Sequence, residues 1–209
     1  MGQRGNVCKH MSTRLKNDKA LIQLIPGIIE YSSDELKDDY DVASIVIMNS
    51  AAYCFRFLSI RIKKDKSFVL YYIEWLELES NKYLNIFCKN YHGSGIIMEY
   101  IDDKLNNDID IVTRFLNLDI IYLTYIIKNH NTFDSTRYYH NIILYIGNDL
   151  NNDKNIINKC IELDCMNTEY HKKKHPQRVC NELIIYEYIG DELKYDIEII
   201  KKCLKSNGL

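Results

Sequence analysis

The stretch from Cys160 to Cys180, "CIELDCMNTEYHKKKHPQRVC", is the best chemical candidate in the chain. Cys165, His171, His175 and Cys180 would supply two thiolates and two imidazoles, a ligand set that suits Zn²⁺. His171 and His175 are also one helical turn apart. The spacing argues the other way, because Cys-x5-His and His-x4-Cys match no common zinc finger. Cys160 falls at a place that is apolar in every full copy of the repeat described below, which makes it core. The simpler expectation is a polar, histidine-bearing connector between two helices. "HKKKHPQR", His171 to Arg178, has the composition of a nuclear-import or phosphate-contacting patch. A solvated loop before a helix that begins at Pro176 explains it with less.

No other segment carries a catalytic signature. Gly93-Ser94-Gly95 has no preceding strand pattern and no Lys-Ser/Thr, so it is expected to be a loop with permissive backbone angles rather than a phosphate loop. The many acidic residues stand at helix starts or on solvent faces, where dipole and solubility effects account for them. No Ser or Cys lies in a nucleophile elbow. The expectation is a protein that is not an enzyme and needs no cofactor. Trp75 and the 17 tyrosines suit inter-helix packing better than an interface.

Among 209 residues, 27 Lys plus Arg stand against 29 Asp plus Glu, a net charge of -2, which argues against a dedicated nucleic-acid binder. Only 2 Pro and 8 Gly interrupt the chain, as suits helices with short connections. No run reaches the roughly 18 apolar residues of a membrane span. The opening "MGQRGNVCKHMSTRLKNDKA" is charged and has no apolar centre, so no secretory signal is expected. Asn6 stands where a myristoylation signal wants Ser or Thr. Seven cysteines without a paired framework fit a reducing, cytoplasmic setting.

What organises the chain is a repeat. "YIGNDLNNDKNII" at Tyr145 and "YIGDELKYDIEII" at Tyr188 are near copies, and related segments begin at His10, Tyr31, Phe57 and Tyr100. Successive starts are 21, 26, 43, 45 and 43 residues apart, so the unit is about 22 to 26 residues and the doubled unit about 43 to 45. The longer gaps predict eroded copies within them, with candidates at Tyr83 ("YLNIFCKNYHG") and Tyr122 ("YLTYIIKNHNTF").

Each copy places an aspartate at its ninth residue: Asp18, Asp39, Asp65, Asp108, Asp153 and Asp196. These are predicted helix N-caps, whose carboxylates take the free N–H groups of the first turn and complement the dipole. Apolar residues follow at three, four, seven and eight places, such as Ile111, Val112, Phe115 and Leu116. That spacing draws one stripe on a helix and would scatter over both faces of a strand. A Leu or Ile three places before each aspartate folds back like a hydrophobic staple. Pro26 should stop the first helix near Ile25. The predicted fold is all-α, an α-solenoid-like array over residues 10–209, with residues 1–9 as an N-terminal tail.

"SSDELKDDYDVA" (Ser32 to Ala43), "LKNDKALI" (Leu15 to Ile22) and "GDELKYDIEII" (Gly190 to Ile200) resemble short repeats with an S-x-E-L-K-x-D-x-x-[VI]-[VI] core. These belong to a domain-of-unknown-function family seen in giant viruses, protists and some bacteria. The recognisable copies cover about half the chain. The family continues into a second, Ala-rich helix; "AAYCFRFLSI" (Ala51 to Ile60) fits and later copies do not. The resemblance implies a helical-repeat fold and no established activity. The functional expectation is a non-enzymatic module that binds an as yet unidentified protein, in host cytoplasm if the source is viral. The alternative is a small zinc-stabilised or nucleic-acid-contacting protein using Cys165 to Cys180.

Overall fold

A computed structural model describes residues 4–49, 52–84, 91, 93–129, 142–174 and 184–206. Its regular elements are α-helices and 3-10 helices, with no strand among the described residues. No described helix is long and apolar enough to cross a membrane.

The six predicted caps begin six helices: Lys19–Leu24, Tyr40–Asn49, Lys66–Lys82, Ile109–Lys128, Lys154–Lys174 and Ile197–Ser206. In all six, the aspartate Oδ1 accepts from the N–H groups two and three residues on; at Asp39 the distances are 2.9 and 3.0 Å. The aspartate N–H in turn donates to the carbonyl of the Leu or Ile three residues earlier, and its carbonyl accepts the first intrahelical bond. Donors that a helix start would leave bare are thereby satisfied. Ile25 closes the first helix and Pro26 opens the 3-10 turn Pro26–Tyr31. The segments before the aspartates are single helical turns such as Asp34–Lys37 and Asp103–Asn106.

The apolar stripes form the core. Val42, Ala43, Val46 and Ile47 are fully buried, as are Ile111, Val112, Phe115 and Leu116. Each capped helix contacts the next in chain order. So do the short elements that precede the turns: Pro26–Tyr31 meets Ala52–Phe57, which meets Gly95–Met98, then Ile142–Tyr145, then Ile184–Tyr188. Trp75 stacks on Tyr72 (ring centroids 6.0 Å apart) and packs against the core.

Two expectations require correction. Residues 1–9 are not all tail: Arg4–Lys9 is helical, Cys8 is buried, and the helix packs on Pro26–Tyr31. No eroded copy begins at Tyr122, which lies inside the unbroken Ile109–Lys128 helix. Ile127-Lys128-Asn129 offers no aspartate to start a new helix, and the spacing is filled by a longer one. Tyr83 closes Lys66–Lys82, and most of the rest of its candidate copy falls outside the described residues.

Candidate interaction surface along the capped edge

The residues around each aspartate also hold neighbouring segments together. The N–H of Ser59, Asp102, Gly147 and Gly190, six residues before a cap, donates to the carbonyl of Lys37, Lys63, Asn106 and Asn151, two residues before the preceding cap, over 2.9 to 3.2 Å. At the first junction side chains substitute: Ser33 N–H donates to Asn17 Oδ1 (2.8 Å) and Ser32 Oγ to the Lys16 carbonyl (2.7 Å). The residue just before each cap reaches the following turn as well. Asn107 Oδ1 accepts from Asp149 N–H (3.0 Å), Asn152 Oδ1 from Glu192 N–H (3.3 Å), Asp38 pairs with Ser59 and Arg61, and Lys64 pairs with Asp102 at 3.4 Å.

The capping carboxylates have a second use. While Oδ1 caps, Oδ2 accepts from the residue just after the preceding cap: Lys19 to Asp39, Tyr40 to Asp65, Lys66 to Asp108, and Lys154 to Asp196 at 2.9 Å. Asp153 is the exception, because the corresponding residue is Ile109 and has no donor. Lys19 and the N–H groups of Val42 and Asp41 hold the Asp39 carboxyl below the usual range. Tyr40 does the same for Asp65, and Lys154 for Asp196. At Asp108 burial pushes upward, but Lys66 and the first-turn N–H groups outweigh it.

Gly147 and Gly190 have ordinary φ, so their requirement is space. A Cβ on either would stand 2.0 Å from Oδ1 of Asn107 or Asn152, the amide that makes the bond across the junction. Lys16 and Lys63, two residues before their caps, lie over the rings of Tyr31 and Tyr100 in the following copy. Asn106 and Asn151 occupy the same place, and their Oδ1 atoms are buried without a partner.

Four and five residues before every cap, both side chains are exposed. These are Thr13 and Arg14, Asp34 and Glu35, Ile60 and Arg61, Asp103 and Lys104, Asn148 and Asp149, and Asp191 and Glu192. Their identities change from copy to copy while the backbone bonds below them recur. Six acids there face three cations, Arg14, Arg61 and Lys104.

The metal candidates are not brought together within the described residues. Cys165 is half-buried against the core, His171 lies in the last turn of Lys154–Lys174, and His175 and Cys180 fall outside the described residues, as does the helix expected from Pro176. Among the described residues no group of three or more His, Cys, Asp and Glu is placed to hold a metal ion. Cys160 is core; burial, then the Asp119 carboxylate, pushes its thiol up. Cys203 is pushed up to about 11, chiefly by burial and then by Asp164 and Cys165.

Asp119 was not foreseen from sequence. It is fully buried within Ile109–Lys128; Oδ1 accepts from Tyr91 (2.6 Å) and Ser94 N–H (3.0 Å), and Oδ2 from Ser94 Oγ (2.6 Å). Gly93 between them has φ 92°, a conformation glycine supplies without a Cβ penalty. Asp119 therefore fastens the start of the Gly95–Met98 turn to the long helix, a positioning role that satisfies its charge. A lone Asp on an otherwise apolar stripe was the available signal. No protein-family model, curated protein or solved structure matches the chain.

Proposed function

We propose that this chain is a non-enzymatic interaction module: an α-solenoid-like array of helical repeats, akin to the family its motifs resemble, that presents the exposed pairs before its caps to a protein partner. The observation that carries the proposal is the recurrence of the inter-segment bonds at the five junctions between caps 21, 26, 43, 45 and 43 residues apart, beneath side chains that vary. Uniform backbone under variable exposed residues is how repeat arrays recognise ligands. The acidic excess of the strip favours a basic partner surface over nucleic acid.

The test is affinity capture with quantitative mass spectrometry, comparing the native protein with a quadruple variant Asp34→Lys, Glu35→Lys, Asp191→Lys, Glu192→Lys. These residues are exposed and outside the core, and the contacts they lose are surface ones, such as the Asp34–Lys37 and Asp191–Lys194 ion pairs, so the melting curve should shift only slightly. A partner enriched by the native protein and lost by the variant supports the proposal. Partners that bind both equally, or none in repeated captures, count against it.

A further inference from the structure

After His10, every copy begins with an aromatic residue: Tyr31, Phe57, Tyr100, Tyr145 and Tyr188. Each ends or closely follows one of the short elements that meet in chain order, so the rings make a row beside the exposed pairs, three and four residues before them in the chain. None of the five is buried.

Three of these rings carry a cation of this chain. Lys16 Nζ lies 5.8 Å from the Tyr31 centroid, the Arg56 guanidinium 4.5 Å from that of Phe57, and Lys63 Nζ 5.9 Å from that of Tyr100. Among the described residues no cation lies over Tyr145 or Tyr188, and two changes of residue account for it. Asn106 and Asn151 stand in the place of Lys16 and Lys63, and Leu144 and Glu187 in the place of Arg56.

The surroundings of these two rings are electronegative. Burial and then Glu99 push the Tyr100 hydroxyl up, with Arg56 opposing; at Tyr145 burial, Glu99, Tyr100 and Tyr188 all push upward and no cation opposes them. Glu99 and Glu187 are exposed, and the nearest lysine in the chain after Tyr188, Lys194, is held by Asp191 at 3.1 Å. At the same two junctions the Oδ1 atoms of Asn106 and Asn151 are buried acceptors without a donor. Tyr188 is 37% exposed and Leu144 42%.

We infer that Tyr145 and Tyr188 bind lysine or arginine side chains of the partner, drawn in by Glu99 and Glu187 and held face-on, as Tyr31 and Tyr100 hold Lys16 and Lys63. The inference rests on the interaction proposal and specifies it: the partner brings a basic segment, which lies along the copies that begin at Tyr145 and Tyr188. Single-stranded nucleic acid also stacks on aromatic rows, but the two glutamates repel its phosphates.

Fluorescence anisotropy of a labelled oligolysine peptide with the full chain, in physiological salt, tests this, and the same peptide acetylated on every lysine is the neutral probe. The native chain should bind the first and not the second. Tyr145→Leu with Tyr188→Leu leaves the net charge unchanged and should weaken binding about fivefold to twentyfold, while Tyr145→Phe with Tyr188→Phe keeps both rings and should stay within about twofold. Asn151→Lys should weaken it about twofold to fivefold by setting an ammonium of this chain over Tyr188. Gln23→Lys, the same charge at an exposed position of Lys19–Leu24, should leave it unchanged. Thermal melts verify folding, and should the leucine pair not fold, the two lysine variants decide. A native chain that does not bind, a leucine pair that binds as the native protein does, equal weakening by Asn151→Lys and Gln23→Lys, or an oligothymidine strand that displaces the peptide overturns the inference. The interaction proposal is read separately: a captured partner lost by the strip variant and kept by the leucine pair upholds that proposal and removes this site.

Discussion

The short-spaced and long-spaced parts of the chain join their segments in the same way. Between Asp18 and Asp65 the capped helices are 6 and 10 residues long; from Asp65 onward three of them are 17, 20 and 21. Yet Ser59 and Gly190, in the two parts, donate to the same kind of carbonyl, and Tyr40 and Lys154 reach the same oxygen of the next aspartate. Junction geometry is therefore set by about eight residues around each aspartate. Helix length varies independently, at the end away from the cap.

The largest effect should separate the two parts by core volume. Phe115→Ala empties a fully buried site between long helices and should cost towards the upper end of about 3–5 kcal/mol, against the lower end for Phe55→Ala, equally buried in the short part, read as urea midpoints. Equal losses would show that helix length does not deepen the core.

Next come the caps. Asp153→Ala removes an N-cap and should cost about 1 kcal/mol, whereas Asp108→Ala also strands Lys66 and should cost more. A double-mutant cycle should show coupling between Asp108 and Lys66 and none between Asp153 and Ile109. The same chemistry sets the acid limb of stability. The carboxyls of Asp39, Asp65, Asp108 and Asp196 are held low when folded. Their contribution is complete above the unfolded aspartate value of about 3.9 and is withdrawn as pH falls through the folded values. Urea midpoints should drop on acidification from about pH 5 to 3, and less steeply in Asp39→Asn.

Gly147→Ala should displace the Asn107 amide and cost about 1 kcal/mol through the lost bond to Asp149. Much of that loss should vanish when Asn107 is already Ala. The smallest effect is a gain. Asn151→Lys removes an unsatisfied buried oxygen and sets an ammonium beside Tyr188, as Lys63 sits over Tyr100, for about 0.5–1 kcal/mol in the thermal midpoint.

Local chemistry was legible in the sequence, and chemistry between distant segments was not. Each cap and its apolar stripe lie within eight residues, so the aspartates and Ile111, Val112, Phe115 and Leu116 could be placed from spacing alone. The bonds across junctions link residues 16 to 44 apart, such as Asn107 and Asp149. The place before the cap is polar in five copies, at Asn17, Asp38, Lys64, Asn107 and Asn152, but the partner of each lies in another copy. Asp119 was hidden for the same reason, since Tyr91 and Ser94 are 28 and 25 residues away. Tyr122 misled because a half-match to the motif lacks the one residue, aspartate, that breaks and restarts a helix.

Four carboxylates divide their two oxygens between the helix they open and the segment before it. Loosening a segment before one of these four takes a donor from it, so unfolding should travel as falling dominoes do, in an order fixed by the chain, with a pause at Asp153, which takes no such donor. Amide-exchange protection would then fade stepwise along the molecule, each helix yielding only after a neighbour has let go.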